Sequence, residues 1–140
     1  MNKMTLLLYI VVIVGLAGCN IQSQNSHILK GGSQIKLRNM QSRTFETSNR
    51  IIVLRNVIAT LQDLGFVIDK ADAELGVVSA TKLSRHTIKM TVIVRKKSDK
   101  LTLVRASARY NINAIEDPKT YQNFYTSLEK SLFLSANAIE

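Results

Sequence analysis

Alternation of apolar and polar residues in two neighbouring segments most constrains how this chain folds. Within His86–Arg95 and Leu101–Ile112, apolar residues occupy every second position from Ile88 to Val94 and from Val104 to Ile112. A period of two places successive side chains on opposite faces of an extended strand, so each segment predicts a strand with one buried face and one solvated face. The polar residues 96–100 between them predict a hairpin. Such strands are typical of an antiparallel sheet that is covered on one side only.

Two segments with helical periodicity flank these strands. In residues 51–64 apolar side chains recur every three or four positions, Thr47 or Ser48 is a candidate N-cap, and Gly65 suits the left-handed residue that follows a helix. The second segment, residues 117–139, begins with a capping aspartate and a proline at the first helical position. Both segments therefore predict amphipathic helices.

The order of the elements predicts an α+β fold. Shorter strands are predicted at residues 35–45, 66–68 and 76–83. Because the strands run consecutively between two helices, a two-layer sandwich is favoured over a parallel sheet. We expect an antiparallel sheet of about four strands with both helices on one face, an arrangement compatible with a helix-grip-like topology. These elements are predicted to form one domain at residues 35–140.

The N-terminus has the pattern of a secretory signal. Lys3 precedes an apolar run at residues 6–16, which is shorter than the roughly 20 residues that a membrane-spanning helix needs. Residues 1–18 are therefore predicted to be a signal peptide that is removed. The polar, glycine-bearing residues 19–34 that follow are predicted to form a flexible tether.

The sequence Leu16-Ala17-Gly18-Cys19 resembles a bacterial lipobox. This resemblance implies cleavage before Cys19, attachment of diacylglycerol to its sulfur and N-acylation of its amine. Two or three acyl chains, at about 0.8 kcal/mol for each buried methylene, would anchor the protein stably in a membrane. Cys19 is the only cysteine, so no disulfide is expected. Asn20 stands where aspartate would resemble an inner-membrane retention signal, which implies the outer membrane. A domain facing the periplasm is expected, although the sequence does not distinguish it from one exposed at the cell surface.

Two further segments resemble a family of small proteobacterial outer-membrane lipoproteins of uncharacterised function. They are LQDLGF at residues 61–66 and YQxFYxxLxKSLFL at residues 121–134. The likeness extends over most of residues 43–139 and implies a localisation and a fold, but no activity. The order of elements is also similar to helix-grip domains of lipoproteins attached to the β-barrel assembly machinery, a likeness of topology alone.

Residue types that support catalysis or metal binding are sparse. His86 is the only histidine of the predicted domain, and a surface or turn role explains it most simply. The cluster Asp69, Asp72 and Glu74 has fewer and less regularly spaced oxygen ligands than a calcium loop. A second cysteine, a histidine pair and a glycine-rich phosphate loop are all missing from the sequence. We expect no enzyme activity, no metal and no cofactor beyond the lipid on Cys19, with an envelope hydrolase as the least favoured function.

Positive charge is concentrated in the predicted strands. Without Lys3 the chain has 18 Lys and Arg against 10 Asp and Glu, a net charge of +8. Nine of these cations, and only Asp99 among acids, lie between Lys82 and Arg109. Alternation places four of them on the sheet face away from the helices, namely Lys89, Arg95, Arg105 and Arg109. Such a face would attract an anionic partner, although lysine and arginine also keep a solvated strand soluble and block edge pairing.

Two binding functions follow. The leading hypothesis is a non-catalytic accessory subunit that docks on another envelope protein of an export, assembly or maintenance system. The alternative is a binding module that uses the basic sheet face for anionic envelope material: lipopolysaccharide, lipid head groups or wall polymer. Nucleic acid is not an expected partner, because the predicted location is outside the cytoplasm and the basic strands have few aromatic residues for base stacking.

Overall fold

Three helices and six strands occupy the part of the chain that this computed structural model describes, residues 26–137, with side chains described from Ser33. The elements in chain order are α1 (Ser26–Met40), β1 (Ser42–Phe45), α2 (Arg50–Asp63), β2 (Val67–Asp72), β3 (Val77–Leu83), β4 (Thr87–Lys96), β5 (Thr102–Tyr110), β6 (Asn113–Ala114) and α3 (Pro118–Asn137). The predicted signal peptide, the lipobox and Cys19 lie outside the described residues. The chain divides into two compact units, residues 1–32 and 33–140, and the account below concerns the second.

The strands form one open antiparallel sheet in the order β1-β5-β4-β3-β2. The first strand pairs with the fifth, since Ser42 of β1 lies opposite Arg105 of β5, while β6 pairs with the far end of β5 through Arg109 and Ala114. The predicted α+β class and antiparallel sheet are confirmed. The predicted numbers of about four strands and two helices are approximate: β6 has only two residues, and α1 is weakly patterned.

Alternation in the three central strands builds the core. Val78, Val92 and Ala106 lie side by side across the sheet and are completely buried. Their outward neighbours are half-buried or exposed. The helices supply the other half of this core, chiefly through Val53, Leu54, Val57 and Leu61 of α2 and Tyr121, Phe124, Tyr125 and Leu128 of α3. The sheet therefore buries one face under α2 and α3.

A polar contact joins α2 to α3 within this layer. Asn56, which is only 7% exposed, accepts hydrogen bonds from the hydroxyls of Ser131 at 2.6 Å and Ser135 at 2.7 Å. Its amide nitrogen donates to the Ile52 carbonyl at 2.9 Å. Because the buried amide is satisfied at both ends, it fixes how the two helices are aligned rather than destabilising the core.

The N-cap of α2 differs from the prediction of Thr47 or Ser48. Asn49 caps the helix, and its side-chain oxygen accepts from the Ile52 amide at 3.1 Å. Thr47 lies before the cap and makes other hydrogen bonds: its carbonyl accepts from the Thr102 hydroxyl at 2.6 Å, and its hydroxyl accepts from the Asn49 amide. The prediction for Gly65 is confirmed, with a φ of +80° directly after the helix.

The strand predicted at residues 35–45 is wrong over its first half, where the chain is the end of α1. Leu37 and Met40, three positions apart, pack against the core, whereas Ile35 is 63% exposed. Helical spacing of two buried side chains therefore outweighs the short alternation of Ile35 and Leu37. The helix begins at Ser26, within the stretch assigned to the tether, so the backbone is not irregular from that residue onward.

Strand β2 is longer than the predicted residues 66–68, and it includes Asp69 and Asp72, which the sequence pattern assigned to a loop. The pairing with β3 shifts register between Ile68 and Lys70, which places the extra residue Asp69 in a bulge. The Asp69 carboxylate accepts from the Thr81 hydroxyl at 2.7 Å. This local bond is one reason why a strand with three charged residues holds its place at the edge of the sheet.

Two tyrosines of α3 close a gap along the edge of β5, where β1 has ended and β6 has not begun. The Tyr121 hydroxyl donates to the Ile115 carbonyl at 2.6 Å and accepts from the Ala108 amide at 3.3 Å. The Tyr125 hydroxyl lies 2.5 Å from the Gln41 carbonyl, which accepts its proton, and 3.2 Å from the Ala106 amide. The two hydroxyls thus form hydrogen bonds with backbone groups along the part of β5 where no edge strand continues.

Burial raises the pKa of Tyr125 to about 12, because the phenolate form would have to lose its hydration. In the unfolded chain the phenol titrates near its ordinary value of about 10, so between those values the folded state holds more protons. We therefore expect stability to fall as pH rises from about 10 to 12, by up to about 3 kcal/mol. Urea unfolding midpoints measured across this range should decline less in Tyr125→Phe, and an equal decline would contradict the assignment.

Candidate anion-binding site

Four cations lie together on the sheet face that the helices leave uncovered. Lys89 of β4 is directly opposite Arg109 of β5, Arg105 is opposite Ile93, and Arg95 is opposite Leu103. All four positions alternate with buried residues of the same strands, so their side chains point away from the core. We call this surface, made by the outward residues of β3, β4 and β5, the basic face.

A row of small hydroxyl residues crosses the middle of the basic face. Ser79, Thr91 and Ser107 are cross-strand neighbours in β3, β4 and β5. The Ser107 hydroxyl makes only a long bond of 3.4 Å to the Thr91 carbonyl. These short side chains lie between Lys89 and Arg109 on one side and Arg105 on the other.

Charge on the basic face is only partly neutralised. The Lys89 ammonium lies 3.6 Å from the Asp69 carboxylate, and both side chains are partly exposed. Arg95, Arg105 and Arg109 form no ion pair with any side chain from Ser33 to Asn137. The acids Asp69 and Asp72 belong to β2, so the positive potential is strongest over β4 and β5.

A recess lies on the basic face beside β5, between the positions where β1 and β6 pair with that strand. Its volume is about 220 Å³, and its polar lining on the strands consists of Lys89, Thr91, Ser107 and Arg109. Gln41 closes one side, where its amide nitrogen donates to the Tyr121 hydroxyl at 3.2 Å, and the 91% exposed Ile112 stands at the rim. The recess therefore offers hydrogen-bond donors and two positive charges, but no carboxylate.

Sequence reasoning identified the cations of this site but missed its other members. Thr91, Ser107 and Gln41 are far apart in sequence, and only the hairpin register and the gap beside β5 bring them together. The alternating hydroxyls of β4 and β5 were the available signal, since a small polar residue at the centre of a solvated strand leaves room for a ligand.

Other candidate groups are arranged differently. His86 lies outside the recess, where its Nδ1 is 3.1 Å from the Tyr110 hydroxyl and the two rings meet edge to face. Among residues 26–137 no three His, Cys, Asp or Glu side chains are close enough to hold a metal ion. The larger recess of about 950 Å³ between the β1–α2 and β4–β5 connections has charges of both signs, Glu46, Asp99 and Lys100, and no convergent set of donors.

None of the helices between residues 26 and 137 has the length and apolar character needed to cross a membrane. In comparisons with known proteins, no family model matches the chain, and no curated protein is significantly similar to it.

Proposed function

We propose that this protein is a lipid-anchored, non-catalytic binding module of the bacterial outer membrane, and that its basic face binds anionic envelope material. The observation that carries the proposal is the juxtaposition of Lys89, Arg105 and Arg109 around the hydroxyl residues Thr91 and Ser107 on an uncovered sheet face. Two of these cations, Lys89 and Arg109, line a recess there together with both hydroxyl residues. Anionic lipid head groups, lipopolysaccharide phosphates and acidic wall polymers share the chemistry that this surface favours.

Charge reversal on the basic face tests this function. We expect Lys89→Glu combined with Arg105→Glu to weaken retention of the detergent-solubilised full chain on immobilised lipopolysaccharide by at least about tenfold, because attraction becomes repulsion. The matched control is Arg55→Glu with Lys130→Glu, an equal change of charge at exposed positions of the helix layer. Equal loss in both variants would show that only net charge matters, and unchanged retention in the first would refute the function.

The anchor is a separate part of the proposal, supported by the lipobox resemblance at Leu16–Cys19. We expect Cys19→Ser to stop lipidation and to move the protein from the membrane fraction to the soluble fraction, since two or three acyl chains supply the membrane affinity. Fractionation with metabolic labelling by a fatty acid measures both effects. A variant that is still processed at the same bond and still sediments with membranes would contradict the anchor.

A second candidate function, the accessory subunit that docks on an envelope protein, is favoured by exposed apolar side chains on the helix layer. Phe133 is 68% and Leu134 55% exposed near the end of α3, and Ile52 at the start of α2 is 41% exposed. Ile52 and the last turns of α3 line a shared recess of about 260 Å³. Exposed apolar side chains such as these suit contact with a protein surface rather than with an anionic polymer.

A further inference from the structure

We propose that the recess between β1 and β6 is a binding site for a terminal phosphate group, a phosphate monoester. This inference rests on the proposed function and assigns the ligand chemistry of one place on the basic face. The polar groups that β4 and β5 contribute to the recess, those of Lys89, Thr91, Ser107 and Arg109, can all donate hydrogen bonds. A phosphate offers only acceptors, so the two sets are complementary.

The size of the recess limits what it can hold. Its volume of about 220 Å³ is below the range of about 300–1,000 Å³ that is usual for sites enclosing a whole small molecule. A phosphate head fits, and the remainder of the ligand must leave the recess across the open sheet. The exposed Ile112 at the rim provides an apolar contact for that remainder.

The charges of the recess favour a monoester over a diester. A phosphate monoester carries a charge of about −1.5 to −2 near neutral pH and presents three terminal oxygens. A diester carries a single charge and presents two such oxygens. Arg109 can bind two oxygens with its planar guanidinium, and Lys89 adds a second positive charge from the opposite strand. Thr91 and Ser107 supply donors for the third oxygen.

Asp69, which does not line the recess, weakens the affinity of the site for anions through its contact with Lys89. Its carboxylate is 3.6 Å from the Lys89 ammonium and reduces the charge that Lys89 offers to a ligand. Its bond from the Thr81 hydroxyl, 2.7 Å long, can be kept by an asparagine oxygen. Asp69→Asn should therefore tighten phosphate binding by about threefold to tenfold without removing that structural bond.

The test is an NMR titration of the ¹⁵N-labelled full chain in neutral detergent micelles, read at the amides of Thr91, Ser107 and Arg109. One arm adds inorganic phosphate and a matched arm adds sulfate. Two further arms dope the micelles with phosphatidic acid, a monoester, or with phosphatidylglycerol, a diester, at equal charge. We expect shifts at these amides with phosphatidic acid at concentrations at least about tenfold lower than with phosphatidylglycerol. Inorganic phosphate binding as tightly as phosphatidic acid would identify a free phosphate as the ligand and overturn the lipid source, leaving only recognition of a dianionic phosphate group.

Variants separate this inference from the broader function. Ser107→Asp, which places a carboxylate in the recess, and Arg109→Gln should each weaken phosphatidic acid binding by about tenfold or more. Arg95→Gln, on the same face but outside the recess lining, should change it by less than about twofold. If Arg95→Gln and Arg109→Gln weaken phosphatidic acid binding by the same factor, or if the two lipids bind with equal affinity, the recess is not a phosphate site. The basic face could still bind polyanions in that case. Retention on lipopolysaccharide that survives Ser107→Asp would support that narrower outcome.

Discussion

Replacing Gly76 by alanine is expected to destabilise the fold by about 2–5 kcal/mol. Gly76 has a φ of +69°, in the left-handed region that costs an L-residue about 1–2 kcal/mol. A Cβ atom there would also overlap the backbone oxygen of Val94 and come within 2.8 Å of an Arg50 guanidinium nitrogen. Neither β3 nor β4 can move away easily, since the Gly76 carbonyl accepts from the Val94 amide at 2.7 Å.

Gly65→Ala provides the matched control. Its φ of +80° imposes the same backbone cost, but the nearest atoms to an added Cβ belong to the flexible Lys82 side chain, 3.7 Å away. We expect a loss of about 1–2 kcal/mol. Equilibrium urea unfolding of the two full-length variants, followed by circular dichroism, compares them directly. Equal losses would mean that the β3–β4 end relaxes around the new methyl group.

Replacing Phe124 by alanine is expected to cost about 3–5 kcal/mol. Phe124 is completely buried between α3 and the sheet, and its ring meets that of Tyr125 edge to face at 5.1 Å between centroids. The surrounding valines and Leu128 belong to elements that are fixed by hydrogen bonds, so the cavity cannot collapse fully. The unfolding midpoint in urea should fall strongly with little change in the slope of the transition.

Phe133→Ala, in the same helix, is the control for Phe124→Ala and also bears on the second candidate function. Because Phe133 is 68% exposed, its truncation should change stability by less than about 0.5 kcal/mol. If α3 docks on another envelope protein, the same variant should lose a partner that co-purifies with the wild-type chain in detergent. A marked loss of stability would show that Phe133 is packed, and an unchanged set of partners would count against docking through this patch.

The central strands could be predicted because their pattern is strong and local. Met90, Val92 and Val94 alternate with solvated residues, and the structure buries all three completely or almost completely. The start of the second helix pattern was equally direct: Asp117 precedes α3, which begins at Pro118, and the aspartate accepts from the Lys119 amide at 3.1 Å. In these places the chain has one way to bury its apolar residues.

The elements that were missed depend on distant contacts. Strand β6 has two residues, too few for any periodicity, and exists because Asn113 and Ala114 meet the end of β5. The end of α1 carries only Leu37 and Met40 toward the core, so its short pattern read equally well as a strand. The recess needs β1, β5, β6 and the α3 tyrosines at once, and no local pattern encodes that combination.

The bulge at Asp69 affects whether the edge strand β2 can pair with the same strand of a neighbouring molecule. An uninterrupted edge strand would offer its free amides and carbonyls to the same strand of a neighbouring molecule, and crowding would then drive polymerisation. The register shift in β2 breaks that repeat, and Asp69, Lys70 and Asp72 surround it with charge. Molecules packed side by side are therefore expected not to join their sheets through β2.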